Sequence, residues 1–564
     1  MSERQATQMD KSIFVAGAAG EGIQTIGDVV SRTFLHHGYP VFASQEFESR
    51  IRGGNSSVRV RITDAPRNAP VAAADILLAL NPEAQAHYAD TLHPEGLVIA
   101  GEGAGLVIPF VDLAVEHGGA KIYANAVAAG ALCAVAGLPF ATLQKVLENA
   151  FSERGEEVVE ANVAAARAGF DQALDELGDR RPKELPKRDG AYAFASAHET
   201  IPIAAAASGC RFISAYPMSP STGIITAFAR SPDLGVFTEQ AEDEIAAINM
   251  ALGASAAGAR AMTATSGGGF ALMVEGLSLA GMIETPIVIV LAQRPGPATG
   301  LPTRTAQEDL LFAVRAGHGE FPRAILAPSD PQEAIDLTVK AFDLADRFQI
   351  PAILLTDQFL ADSSFSLDGL ALPAEIPEDH LADPARQPKE YARYASNSSG
   401  ISPRLAFGQG GRVVCIDSDE HTPEGHITED LQSIRPAAVE KRLEKLRHVR
   451  AEISPPRVDR IEDAETILIG WGSTRGAITE AVDRLRSDGR KVGSIHFSEL
   501  WPLPDLSFET ESVAYWTVEG NTTGQLAGLL RGELGWPIVG TIGRSDGLPI
   551  DASFAIRELM GRIS

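Results

Sequence analysis

Short apolar runs punctuate this sequence from end to end, and segments of helical pattern separate them. Ser12–Gly17 (SIFVAG), Ile76–Leu80, Leu97–Ala100, Pro286–Leu291, Ala324–Ala327, Ala352–Leu355, Val413–Asp417 and Thr466–Gly470 each read as a buried strand. A strand that is apolar at every residue has both faces covered, and the covering elements are the intervening helices. Repeated units of this kind predict an α/β protein, with parallel sheets flanked by helices. At 564 residues the chain has room for several such domains.

Composition shifts place the boundaries. Asp171–Asp189 is charged and holds two prolines, so it reads as an exposed linker after a first domain. The expected domains are 1–178, a linker over 179–195, a second domain over 196–455 with a long C-terminal connection, and a last α/β domain over 456–564. Within the connection, Ser364–Ile401 is rich in Pro, Asp and Ser and reads as a long loop. Glu440–Arg450 (EKRLEKLRHVR) reads as a solvated, basic-rich helix.

Charge excludes some partners. With 48 basic and 74 acidic residues the formal net charge is −26, and no Lys/Arg run offsets it. Such a field repels nucleic acid and anionic membranes. No run approaches the roughly 18 apolar residues of a membrane span. The N-terminus shows no signal-peptide core, so a reducing cytoplasm is expected. Cys133, Cys210 and Cys415 are far apart with no CxxC pair. No disulfide framework is expected, and no metal or iron–sulfur site built from this chain alone.

Gly17, Gly20 and Gly22 (VAGAAGEGIQTIG) follow a strand and open a helix. Such a loop offers unpaired N–H groups to a phosphate. It equally suits a tightly packed strand–helix turn. The spacing GxxGxG is not the dinucleotide fingerprint, and Glu46 and Glu48 do not sit at a strand end where a ribose ligand belongs. Arg50 and Arg52, beside Gly53 and Gly54, suit a phosphate or a partner carboxylate, or else an exposed hairpin turn.

The central region carries more chemistry. Ala215–Gly223 (AYPMSPSTG) presents the hydroxyls of Ser219, Ser221 and Thr222 in a loop pre-set by two prolines. Phe237–Gly258 places acidic residues at the head of a helix that is otherwise small and apolar. Glu242 and Glu244 point in different directions there, so one can turn inward and be desolvated, which raises a carboxyl pKa. AMTATSGGGF runs a strand into Gly267, Gly268 and Gly269, where a cofactor or another subunit must approach closely. Arg304 lies in PATGLPTRTAQEDL, at a sheet's carboxyl edge, placed either to hold a substrate carboxylate or as an ordinary surface arginine.

Together YPMSPST, EDEIAAINMALGASAAGARAMTATSGGG and GPATGLPTRTAQEDL resemble the alpha subunit of 2-oxoacid:ferredoxin oxidoreductases. GAAGEGIQTIG and RIRGGNSSVRV resemble the gamma domain of the same enzymes, fused in front. EHTPEGHITED, KRLEKL, LIGWGSTRGA and VEGNTTGQLAGLLRG are similar to later regions of that subunit. The resemblance implies a gamma domain, a domain binding the thiamine pyrimidine, and a C-terminal transketolase-like domain. It also implies conversion of a 2-oxoacid, coenzyme A and oxidised ferredoxin to acyl-CoA, carbon dioxide and reduced ferredoxin. Thiamine diphosphate is shared with a beta subunit, which supplies the diphosphate and Mg2+ site and the 4Fe-4S cluster in an alpha2beta2 assembly. The absence of a GDG motif with paired asparagines, and the scarcity of cysteine, agree with half an enzyme.

The family's activating glutamate lies nine residues before the helix glycine, here Gly253, which selects Glu244, with Glu242 as the runner-up. By resemblance, its carboxyl hydrogen-bonds a pyrimidine ring nitrogen. Tyr216, Pro217, Gly267 and Gly268 contact the cofactor, Ser219 and Arg304 the substrate, and Gly20, Gly22, Arg50 and Arg52 the coenzyme A region. Two departures stand out: YPMSP replaces YPITP, and Gly268 replaces the proline of TSGPG. The fused gamma–alpha arrangement resembles 2-oxoglutarate enzymes, with succinyl-CoA as product. Pyruvate or a branched-chain 2-oxoacid is the alternative substrate. The alternative functions are a subunit of a thiamine enzyme that does not use ferredoxin, and a nucleotide-binding scaffold.

Overall fold

The computed structural model describes residues 9–48, 53–504, 506 and 513–563. Arg50 and Arg52 lie outside the described residues. The chain divides into two compact units, Met1–Ala195 with Ser363–Leu370 and Asp551–Ser553, and Ser196–Asp362 with Ala371–Ile550 and Phe554–Ser564.

Among the described residues, the first unit is built on an eight-stranded sheet. Its order is Leu106–Val107, Leu92–Ala100, Ala74–Ala79, Asp10–Ala19, Gly53–Thr63, Val41–Glu46, Ser364–Leu367 and Ala193–Ala195. The first four strands are parallel, but Gly53–Thr63 pairs antiparallel with both Asp10–Ala19 and Val41–Glu46. The α/β fold with sheets flanked by helices is as expected, and this sheet adds an antiparallel portion. The link between Val41–Glu46 and Gly53–Thr63 is too short for a crossover helix, which needs a dozen or more residues. Val58, Val60 and Ile62 alternate inward, while Arg61 is buried with a two-pronged bond to Asp10 (2.8 and 2.6 Å). Ile26, Val30 and Phe34 of the helix Ile23–His36 close the core on the sheet.

Much of Asp171–Asp189 is exposed, as expected, though parts of it are held by the rest of the unit. The helix Glu156–Leu177 takes its first residues. Leu185 N donates to Gly137 O at 2.8 Å, Tyr39 Oη donates to Pro186 O at 3.0 Å, and Arg188 pairs with Asp64. Its charges face water while its backbone is docked. Ser364–Leu367, expected in a loop, is a strand whose Phe365 is buried between Val41–Glu46 and Ala193–Ala195.

The second unit holds two further sheets among the described residues. The seven-stranded one runs Glu499–Trp501, Ala324–Leu326, Pro351–Asp357, Ile287–Gln293, Arg260–Thr265, Cys210–Ala215 and Phe237–Gln240, parallel except at Glu499–Trp501. The five-stranded one runs Arg457–Asp459, Val492–Phe497, Thr466–Trp471, Ala514–Glu519 and Ile538–Gly543. Every residue of Ile287–Gln293 is buried, as a central parallel strand requires. Residues 456–564 share one core with 196–455: Leu291, Ile325 and Phe270 belong to the same cluster as Trp471, Phe497 and Trp536.

Two local expectations fail. Val413–Asp417 is irregular, with Val413 77% exposed, and it pairs with no strand among the described residues. The basic helix, here Ile434–Glu452, is not solvated: Lys441 and Lys445 are buried around the Glu284 carboxylate. Lys441 Nζ reaches both its oxygens (2.6 and 2.7 Å), Lys445 pairs with Oε2, and Arg393 donates to the Glu284 carbonyl at 2.6 Å. Burial alone would raise the Glu284 carboxyl, but Lys445, Lys441 and Arg393 outweigh it and hold it well below the usual range. Burial in turn pushes the Lys445 ammonium down to about 7. A charge cluster of this kind is costly to break from one side. Glu284→Ala is expected to destabilise the protein by about 3–5 kcal/mol, read as a lower thermal unfolding midpoint. Lys445→Met, which leaves the Lys441–Glu284 pair intact, is expected to cost less.

Candidate active site

Three neighbouring strands, Ile287–Gln293, Arg260–Thr265 and Cys210–Ala215, end on one edge of the seven-stranded sheet. Carboxyl edges of parallel sheets are where such folds bind ligands. The Tyr216–Ser221 loop, the Gly267–Gly269 turn and the 294–309 loop leave from these ends.

Glu244 opens the helix Glu244–Ala256, and Asp243 caps it by accepting from Ala246 N at 2.7 Å. The cap turns the two candidate carboxylates apart: Glu242 is exposed, whereas Glu244 is 3% exposed. Glu244 Oε1 is buried without a hydrogen-bond partner among the described residues. Burial raises its pKa, and Asp243 adds to this against the residue's own backbone N–H. Gly269 explains how a carboxylate fits there. A Cβ at 269 would stand 2.1 Å from Thr265 Oγ1 and 2.5 Å from Glu244 Oε1. Thr265 Oγ1 also contacts Met218 Sδ at 4.0 Å, which brings the YPMSP loop to the same place.

A second group was not foreseen. Arg294 immediately follows the buried strand and donates from Nη1 to Ser219 O at 2.6 Å. Its Nε is buried without a hydrogen-bond partner among the described residues, and so is Asp309 Oδ2. Asp309 lies over Gly267, where a Cβ would meet Oδ2 at 2.5 Å. Burial, with Glu308 adding, pushes the Asp309 carboxyl up to about 6, while Arg294 pulls it down. The available signal was a charged residue directly after an all-apolar strand, IVIVLAQR, at the edge where ligands bind.

Arg304 lies in the same loop, half-buried, with Cβ and Cγ packed toward Gly547. The loop is clamped by the five-stranded sheet. Gln307 N donates to Gly520 O at 2.7 Å, Asn521 Nδ2 to Gln307 O at 2.9 Å, and Gln307 Nε2 to Trp471 O at 2.9 Å. Glu519 is fully buried and accepts from Leu526 N and Ala527 N at the head of the helix Gln525–Leu534. VEGNTTGQ is thus a clamp for the site loop. Thus Ser219, Glu244 and Gly267 are brought together, Tyr216 and Pro217 belong to the same loop as Ser219, and Gly268 faces open space save for Ala298 O.

Gly20 and Gly22 belong to the other unit and have φ of 92° and 79°. Gly22 precedes the helix Ile23–His36. Glu21 fills part of the presumed anion cradle itself: its Oε2 accepts from Ala18 N at 2.8 Å and Asn81 Nδ2 at 2.7 Å.

Comparison with known proteins decides the family. Residues 203–441 match the model for the thiamine diphosphate-binding region of pyruvate flavodoxin/ferredoxin oxidoreductase, and residues 12–172 that for pyruvate ferredoxin/flavodoxin oxidoreductase. The alpha subunit of 2-oxoacid:ferredoxin oxidoreductase 2 from Aeropyrum pernix is 30% identical over 98% of both chains. This chain belongs to the 2-oxoacid:ferredoxin oxidoreductase alpha-subunit family. The KorA subunit of 2-oxoglutarate synthase from Methanothermobacter thermautotrophicus is 33% identical over 53% of this chain and 78% of its own. The structure of 2-oxoglutarate:ferredoxin oxidoreductase from Magnetococcus marinus, with 2-oxoglutarate, coenzyme A and succinyl-CoA bound, superposes with a TM-score of 0.91. It is 30% identical and covers 98% of this chain and 100% of that one.

The oxidoreductase site fits the pyrimidine half of thiamine diphosphate. An orphaned, desolvated carboxyl oxygen beside glycine backbone is what an aromatic ring nitrogen needs as its partner. Gly269→Ala is expected to displace Glu244, cost about 1–3 kcal/mol of stability, and weaken thiamine diphosphate binding in fluorescence titrations of the complex with its partner subunit.

Proposed function

We propose that this chain is the alpha subunit of an enzyme that reversibly converts 2-oxoglutarate and coenzyme A to succinyl-CoA and carbon dioxide while reducing ferredoxin. The observation that carries the chemistry is Glu244 Oε1, buried and unpartnered at the glycine turn. The choice of substrate rests on the 2-oxoglutarate relatives. When bound, thiamine diphosphate supplies a carbon nucleophile for the 2-oxo group and an electron sink for decarboxylation. Glu244 holds and exchanges the proton at the pyrimidine ring nitrogen, and its burial raises the carboxyl above its ordinary range, which favours holding that proton. The loop Tyr216–Pro217 and the turn Gly267–Gly268 shape the wall for the ring. Ser219 and Arg294 hold the carboxylate beside the keto group, and Arg304 takes the distal carboxylate, which must be neutralised once water is excluded.

The Mg2+ and diphosphate site and the 4Fe-4S cluster belong to a beta subunit in an alpha2beta2 assembly. Around the Glu244 helix head, Ile245, Met250 and Leu272 are 50%, 41% and 49% exposed, an apolar rim suited to that partner. Coenzyme A is assigned to the gamma-like region by the resemblance alone, since Glu21 occupies part of the cradle of the Gly20–Gly22 loop and Arg50 and Arg52 lie outside the described residues. The three thiols are free, and Cys133 and Cys210 are buried, which suits a reducing cytoplasm.

In the complex reconstituted with its beta subunit, Glu244→Gln is expected to lower turnover by about 100-fold or more, with Glu242→Gln doing much less. A ferredoxin- or viologen-linked assay is expected to give the highest kcat/KM with 2-oxoglutarate. A higher value with pyruvate or 2-oxoisovalerate would overturn the substrate assignment. Arg294→Ala is expected to cost about 2–5 kcal/mol in kcat/KM with every 2-oxoacid, whereas Arg304→Ala acts chiefly on 2-oxoglutarate.

A further inference from the structure

Asp309 Oδ2 is a buried oxygen with no role in the reaction as described. Asp309 stands at the N-cap of the helix Leu310–Arg315, where an aspartate ordinarily accepts from the first backbone N–H groups. Its side chain makes no such bond. The carboxyl turns instead to Gly267, where a Cβ would fall 2.5 Å from Oδ2 and 2.9 Å from Oδ1. The backbone is fixed at that place. Asp309 N donates to Gln293 Oε1 at 2.9 Å, and the fully buried Gln293 donates from Nε2 to Thr356 O at 3.1 Å. Glu308 Oε2 accepts from Gly296 N at 2.9 Å, which closes the stem of the loop. Oδ2 itself has no hydrogen-bond partner among the described residues.

Two such oxygens border one helix end. Gly267, Gly268 and Gly269 open the helix Gly267–Met282, and successive residues of a helix point about 100° apart. The direction that Gly268 faces therefore lies between those of Gly267 and Gly269. Asp309 Oδ2 stands on the Gly267 side. Glu244 Oε1, 2.5 Å from a Cβ at 269 and likewise unpartnered, stands on the other. Between them Gly268 is exposed, and a Cβ there would meet only Ala298 O, at 3.8 Å. The open space at the head of the helix is thus flanked by two carboxyl oxygens, each buried and each lacking a hydrogen bond among the described residues.

Burial pushes the Asp309 carboxyl up only to about 6, so it is ionised at neutral pH, and an ionised carboxylate accepts and never donates. Its missing partner is a donor. Of the groups proposed for this site, the ionised 2-oxoacid carries acceptors alone. The aminopyrimidine of thiamine diphosphate carries an amine, opposite the ring nitrogen assigned to Glu244. We infer that Asp309 is a further cofactor-binding residue: its Oδ2 accepts from that amine while Glu244 takes the opposite nitrogen, with the ring in the space that Gly268 faces. This rests on the pyrimidine site proposed around Glu244. Arg294, at the other stem of the same loop, stays with the substrate carboxylate.

The test is calorimetric titration, with Mg2+ present, of the complex with the beta subunit. The probes are thiamine diphosphate and oxythiamine diphosphate, in which a carbonyl replaces the amine. The wild type is expected to bind thiamine diphosphate more tightly by about tenfold or more. Asp309→Ala should weaken thiamine diphosphate about ten- to hundredfold and leave oxythiamine diphosphate nearly unchanged, so that the preference collapses. Asp309→Asn keeps the shape and can turn an amide N–H to the carbonyl. It should lose less affinity for thiamine diphosphate and bind oxythiamine diphosphate better than the wild type does. A carboxylate at this place also complements the dipole of the helix Gly267–Met282, but that role alone leaves the preference intact. Equal affinities in the wild type, or a preference unchanged in the variants, overturns the proposal. Failure of the wild-type complex to bind thiamine diphosphate at all would refute the cofactor reading and this proposal with it. Wild-type binding with an unchanged preference in the variants refutes this proposal alone.

Discussion

The site depends on one carboxyl oxygen that the fold buries and leaves without a partner. Glu244 Oε1 costs desolvation energy and receives no hydrogen bond among the described residues. The surrounding structure is arranged to tolerate this. Asp243 fixes the start of the helix, and Gly269 gives up its side chain so that the next helix can begin against the carboxylate. Thr265 and Met218 complete the wall. A buried polar group so placed costs stability until a partner supplies the missing bond.

The 294–309 loop illustrates how the second unit is joined internally. Its residues face the seven-stranded sheet, but Gln307 is held by Gly520, Asn521 and Trp471 of the five-stranded sheet and its turns. The two sheets also share one apolar core, and Glu499–Trp501 crosses to pair with Ala324–Leu326. Arg294, Arg304 and Asp309 are therefore placed by contacts two hundred residues away in the chain. Hydrogen bonds from a packed sheet at that distance support the loop where the site residues leave it.

Much of this was legible in the residues. The apolar runs announced buried strands because a parallel strand is covered on both faces, and Ile287–Gln293 is buried throughout. The acidic head of a small, apolar helix announced one inward carboxylate, and the register chose Glu244, the one that is buried. Val413–Asp417 has the composition of a strand but pairs with none among the described residues. EKRLEKLRHVR has the composition of a surface helix, yet Lys441 and Lys445 are drawn inside by Glu284, more than 150 residues away. Local patterns report what a segment can bury, not which distant partner neutralises it.

The sequence by itself determined the α/β class and the strand–loop–helix setting of YPMSP, Glu244 and the three glycines. These follow from short-range physics: strand and helix periodicity, helix capping and the backbone freedom of glycine. Tertiary structure alone decided that Arg294 bonds the Ser219 carbonyl, that Asp309 overlies Gly267, and that Asn521 clamps Gln307. Each of these contacts joins residues many turns apart in the chain. Their energies come from charges and hydrogen bonds desolvated together, and such desolvation exists only after the sheets have packed.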